Sequence, residues 1–118
     1  MLQLSETKKE LKIINDQFGN PTNAKDLTKA ISQVIENIEK QRGKILHFSN
    51  ETENNGITWF DFAKEIITIK EKKIILVPCS TSEYPTKAKR PAFSKLMNNS
   101  DIKLRNRKEG LRDYLDNL

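Results

Sequence analysis

The run NDQFGNPTNAKDL, residues 15–27, joins a short β-branched segment (Lys12, Ile13, Ile14) to a strongly periodic helix, so it reads as the loop between them. Gly19 supplies backbone able to take positive φ, Pro21 fixes φ and pushes Asn20 toward extended geometry, and Thr22 or Asn23 can cap the following helix. A turn of this kind at the carboxyl end of a strand is where α/β sheets place ligand-contacting groups, and Asp16, Gln17 and Thr22 give it polar side chains. Asx side chains and proline also organise turns with no ligand at all.

Upstream, residues 1–10 carry Leu2 and Leu4 in a weak helical pattern, and residues 11–15 read as a short buried strand. Downstream, Leu27, Ala30, Ile31, Val34, Ile35 and Ile38 place one apolar stripe on a helix that ends near Gly43. Residues 44–50, with Ile45, Leu46 and Phe48, read as a second strand, followed by a polar loop with Asn-Asn-Gly turn chemistry. Thr58 and Asp61 form a capping-box pair ahead of a second helix, whose apolar face is Phe62, Ala63, Ile66 and Ile67 and whose Trp59 packs the helix start. Residues 74–77 predict a third strand closed by Pro78. An irregular stretch containing Pro85 and Pro91 runs from Cys79 to Pro91, and a last helix over residues 107–118 aligns Leu111, Tyr114, Leu115 and Leu118.

At 118 residues the chain is the size of one domain, and 36% hydrophobic against 31% charged residues predicts a thin core. The net charge of +5 is spread among 16 acidic residues, which argues against a nucleic-acid partner. Cys79 is the only cysteine, so there is no internal disulfide and no zinc spacing. No apolar run approaches the ~20 residues that span a bilayer, and the expected location is cytoplasmic.

Three ordered blocks carry a resemblance. DQFGNPT with the later DL (Asp26, Leu27), ITWFDFAKEI over residues 57–66 and TSEYPTKAKRPAFSKL over residues 81–96 resemble the signatures of the dTDP-4-dehydrorhamnose reductase family of extended short-chain dehydrogenases. The resemblance covers residues 1–96 well and the last helix loosely, and it corresponds to the C-terminal part of a family member. It implies an α/β fold: the edge of a Rossmann-type sheet with a small substrate-binding subdomain and three main helices. Residues 1–118 would then be a single domain equivalent to the substrate-binding part, with the N-terminal dinucleotide-binding half absent.

The family reduces the C4 ketone of dTDP-4-dehydrorhamnose with NADPH or NADH, in the service of cell-surface polysaccharide. By that resemblance Asp16, Gln17, Thr22 and Arg90 are the substrate-side residues. Arg90 precedes Pro91, where a stiff backbone can aim a guanidinium at a diphosphate; a surface salt bridge accounts for it equally well from sequence. No catalytic, cofactor-binding or metal-binding residue is expected here. Tyr84 and Lys87 are one residue short of a Tyr-x-x-x-Lys pair, with Pro85 between them. Gly19, Gly43, Gly56 and Gly110 are too far apart for a dinucleotide fingerprint, and His47 has no second ligand at metal spacing. The implied partners are a dTDP-sugar and either a separately encoded N-terminal half or a second copy, and the chain alone would be inactive. Two rival readings are a folded non-catalytic interaction protein and a small basic nucleic-acid-binding module, for which only Phe60 and Tyr84 would be exposed aromatics.

Overall fold

The β-branched run ahead of Asp16 forms a strand, and the hydroxyl-capped run after Gly56 forms a helix, as their compositions demand. The computed structural model describes residues 1–84 and 86–118, so the spacer role read for Pro85 lies outside the described residues. The elements run α1 (Leu2–Thr7), β1 (Glu10–Ile14), β2 (Phe18–Gly19), α2 (Ala24–Glu36), α3 (Ile38–Gln41), β3 (Ile57–Thr58), α4 (Trp59–Ile69), β4 (Ile75–Cys79), a 3-10 turn (Thr81–Glu83) and α5 (Arg107–Asp116). This is the expected α/β class, with a small parallel sheet. Two compact units form, one from residues 1–19 and 54–94, the other from residues 20–53 and 95–118.

In the first unit β1 and β4 pair in parallel from Glu10↔Ile75 to Ile14↔Cys79. Helix α4 leads into β4 and packs on both strands, burying Ala63 and Ile67 near Leu11 and Cys79. Its start is fixed by Thr58, whose hydroxyl accepts from the Asp61 amide at 3.0 Å and donates to the Asp61 carboxylate at 2.8 Å. Pro78 does not close the third strand; it lies inside β4, opposite Ile13. The Ile75 amide donates to Lys9 and the Asn15 amide to the Cys79 carbonyl, so alternate residues of β4 face β1 and the donorless nitrogen of Pro78 faces the unpaired edge. Trp59, expected to pack the helix start, is 51% exposed, because the start is held by the Thr58 cap and by Ile57 instead.

Strands β2 and β3 pair antiparallel over two residues each, Phe18↔Thr58 and Gly19↔Ile57. Gly56 enters this pair at φ +97°, and a Cβ there would lie 2.6 Å from the Gly19 carbonyl oxygen. Only glycine fits both the angle and the space.

In the second unit Asn23 caps α2, its side chain accepting from the Lys25 amide at 2.8 Å. The helix buries Asp26 and Ala30, while Ile31, Ile35 and Ile38 of the expected stripe are exposed. Burial is confined to the first turns because α5 approaches there: a Cβ on Gly110 would meet Asn23 Cβ at 3.1 Å and Asp26 Oδ2 at 3.2 Å. Helix α2 also stops at Asn37, short of the expected end, and α3 continues to Gln41 before Gly43 turns the chain at φ +75°. On α5, Leu111 and Leu115 are buried and Tyr114 exposed; the helix ends at Asp116, short of the expected Leu118, which is exposed beyond it.

The strand expected over residues 44–50 is not formed. Two consecutive side-chain amides pair with this backbone in place of a neighbouring strand. Asn99 accepts from the His47 amide at 2.8 Å and donates to the Ile45 carbonyl at 3.0 Å; Asn98 accepts from the Ser49 amide at 2.7 Å and donates to the Ser49 carbonyl at 2.9 Å. The Ile45 carbonyl, the His47 amide and both backbone groups of Ser49 thus find partners without a ladder.

Candidate functional site

At the carboxyl ends of β1 and β4 the chain leaves in two directions, and the residues after β1 hold the residues after β4. The Asp16 carboxylate accepts from the Thr81 amide at 3.0 and 2.9 Å and from the Thr81 hydroxyl at 2.6 Å. Gln17, buried despite its polarity, donates through Nε2 to the same hydroxyl at 3.1 Å. These bonds, the side-chain one foremost, hold the Asp16 carboxyl below its ordinary range.

Ser80 and Glu83 frame the 3-10 turn as a capping box. Glu83 Oε2 accepts from the Ser80 amide and hydroxyl, each at 2.8 Å, and its pKa falls, chiefly through the backbone bond. Tyr84 follows this turn, and neither it nor Lys87 lies on a helix.

The irregular stretch returns to the same place. The Phe18 amide donates to the Ala92 carbonyl at 2.7 Å, and the Ser94 amide donates to the Phe18 carbonyl at 2.9 Å. The Ser94 hydroxyl adds a bond to that carbonyl at 3.0 Å, and the Phe18 and Phe93 rings stack with centroids 5.1 Å apart. Between these attachments Lys87, Lys89 and Arg90 are exposed, with no acidic residue among residues 84–94. The structure therefore brings Asp16 and Gln17 together on Thr81 and puts Arg90 on the loop that they help to close.

Thr22 belongs to the second unit. Its hydroxyl donates to the Asn20 carbonyl at 3.1 Å and accepts from the Asn50 amide at 3.3 Å. Asn50 is completely buried: Oδ1 accepts from the Asn23 amide at 2.6 Å, and Nδ2 donates to Asp26 at 2.8 Å and to the Arg105 carbonyl at 3.0 Å. Arg105 then bridges Asp26 at 2.9 Å and Asp113 at 2.8 Å. Burial raises the Asp26 pKa, but hydrogen bonds from Arg105 and Asn50 and the charges of Arg105 and Lys29 outweigh it, and the net shift is downward. The Arg105 bond likewise lowers Asp113.

Sequence reasoning missed Thr81, Glu83, Asn50 and Arg105. Only the Ser80-x-x-Glu83 box carried a readable local signal.

The chain leaves β1 for the polar turn at Asp16 and Gln17; in the short β2–β3 pair that follows, Gly56 lies against the Gly19 backbone, and a Cβ on Gly19 would meet the Ser94 hydroxyl at 3.1 Å. Among the described residues no cluster of His, Cys, Asp and Glu could hold a metal ion, and no helix is long and apolar enough to cross a membrane.

Residues 1–118 match the family described as RmlD substrate binding domain. The spore coat polysaccharide biosynthesis protein SpsK of Bacillus subtilis (strain 168) is 36% identical over 120 residues, covering 98% of this chain and 40% of that protein. The dTDP-4-dehydrorhamnose reductase of Escherichia coli (strain K12) is 33% identical over 104 residues, covering 81% of this chain and 34% of the enzyme. Among solved structures, the dTDP-4-dehydrorhamnose reductase of Bacillus anthracis str. Ames, in complex with NADP, superimposes with a TM-score of 0.87 at 27% identity over 99% of this chain and 41% of that one. The Clostridium acetobutylicum reductase gives 0.83 at 34% identity, over 98% and 41%. The chain thus spans about 40% of the length of these relatives.

Proposed function

We propose, from the premise that this chain belongs to the RmlD substrate binding domain family, that it supplies the substrate side of dTDP-4-dehydrorhamnose reduction. The observation that carries this reading is the closed cationic loop at the carboxyl ends of a parallel strand pair, where exposed Arg90, Lys87 and Lys89 suit a nucleoside diphosphate. Arg90 contacts the diphosphate, and Asp16 and Gln17 shape that wall through Thr81. Hydride and proton come from groups outside these residues: NADPH or NADH held by a dinucleotide-binding partner half, with its Tyr and Lys. The chain by itself is therefore inactive as a reductase.

The test is calorimetry with dTDP, alongside NAD(P)H oxidation in the presence of dTDP-4-dehydrorhamnose. The expected result is dTDP binding that Arg90→Ala weakens about tenfold, the scale of one lost charge-assisted contact, and no NAD(P)H oxidation above a no-enzyme control. Oxidation by the chain alone, or no dTDP binding, overturns the reading. The rival reading of a non-catalytic interaction module draws on the exposed Ile31, Ile35 and Ile38 of α2 and α3. It predicts a folded chain indifferent to dTDP.

A further inference from the structure

We propose that residues 16–18 form a double-ended clasp that sets the position of the cationic loop, its two attachments forming and breaking together. Asp16 and Gln17 hold the loop's first residue through Thr81, and Phe18 holds its last through Ala92, Phe93 and Ser94. Asp16 and Gln17 are then positioning residues: the Asp16 carboxylate and Gln17 Nε2 bond Thr81, and they act on a bound diphosphate only by fixing where Arg90 stands. The claim that the loop faces a nucleotide sugar rests on the proposed function; the clasp itself does not.

Three features carry it. Closing a loop of this length costs entropy that grows slowly with length, so a few well-placed bonds at the two ends determine whether it is closed. Lys87, Lys89 and Arg90 repel one another, and the one acidic residue of the loop, Glu83, is engaged by the Ser80 amide and hydroxyl. The two attachment points are also consecutive on one short stretch. β1 ends at Ile14, and residue 18 is already paired with Thr58 in β2–β3, so residues 15–17 span two hydrogen-bonded anchors. The Asn15 amide on the Cys79 carbonyl and the Asn15 side chain under the Thr58 hydroxyl hold that span from the other side. A span tied at both ends transmits a displacement of residue 16 to residue 18.

The test is residue-resolved amide exchange on the full chain, with variants at each end. Thr81→Val removes the hydroxyl that bonds Asp16 and Gln17, and Thr81→Ser retains it. The expected result for Thr81→Val is exchange about tenfold faster at the remote Phe18 and Ser94 amides as well as at residue 81. Thr81→Ser should stay within about twofold of the parent at all three. From the other end, Phe93→Ala should quicken exchange at the Thr81 amide, and it decides the matter if Thr81→Val does not fold. Faster exchange confined to the mutated end in either variant overturns the clasp.

A second arm separates this from the functional reading. dTDP affinity should fall about tenfold in Thr81→Val and recover in Thr81→Ser, whereas Arg90→Ala should lose affinity with exchange at Phe18 and Ser94 unchanged. Coupled exchange in a chain that never binds dTDP retires the nucleotide-sugar reading and leaves the clasp standing. Uncoupled exchange in a chain that binds dTDP does the reverse.

Discussion

The two units reach order by different means. The first relies on backbone pairing: β1 on β4 and β2 on β3, with Leu11, Ala63, Ile67 and Cys79 buried beneath a capped helix. The second has no sheet among its described residues, only a single bridge in which Glu51 exchanges backbone bonds with Arg105 and Arg107, and much of its order comes from side chains. Asn50 joins Asn23, Asp26 and Arg105, while Asn98 and Asn99 stand in for a strand along residues 45–49. Backbone pairing tolerates a change of side chain, because its donors and acceptors are common to all residues but proline. A network of carboxamides and carboxylates does not, since each member is irreplaceable in shape and in polarity.

The sharpest way to break this contrast is Asn50→Ala. It leaves the Asn23 amide, Asp26 Oδ2 and the Arg105 carbonyl each short of a partner in a buried site, and the expected loss is about 3–4 kcal/mol, from several unmade bonds at ~1–3 kcal/mol each. Urea unfolding followed at Leu111 and Leu115 checks it. A loss under ~1 kcal/mol would place the second unit's stability in its apolar contacts instead. In the first unit no single side chain should matter as much, and the largest effect comes from backbone geometry. Gly56→Ala combines φ +97° with a Cβ 2.6 Å from the Gly19 carbonyl oxygen, so the β2–β3 pair must shift, at about 2 kcal/mol.

Acid sharpens the contrast further, with the smallest expected effect. Asp26 and Asp113 have lowered pKa values, so their contribution is fully present above the unfolded carboxylate value of ~3.9 and is lost as pH falls through the folded values. Asp16 and Glu83 follow the same sign in the first unit, but they are exposed and hold only the loop. Below about pH 4 the methyl resonances of Leu111 and Leu115 should therefore broaden before those of Leu11 and Ala63. Simultaneous loss would show that both units depend equally on their carboxylates.

The same contrast explains what the sequence disclosed. Elements defined by period or by a cap were readable: β1 from its β-branched run, α4 from Thr58 and Asp61, α5 from Leu111 and Leu115. The run over residues 44–50 read as a strand because its apolar residues, Ile45, Leu46 and Phe48, are those of a strand. That its partners would be Asn98 and Asn99, some fifty residues away, left no local trace. The exposure of Ile31 and Ile35 was hidden for a related reason. Periodicity shows that one face is apolar, and the neighbour that decides how much of it is covered, Gly110 against Asn23, lies far along the chain. At the loop, the polar character of Asp16 and Gln17 was legible, and their shared partner Thr81 was not.

Pro78 gives the small parallel sheet a direction of growth. Its nitrogen, turned to the outer edge of β4, can donate nothing to an incoming strand, and its ring stands where such a strand would lie. The outer edge of β1 carries the amides of Glu10, Lys12 and Ile14, and no proline stands in that strand. Any chain that lengthens this sheet must therefore dock beside β1, and two copies meeting through β4 cannot zip into a continuous ribbon.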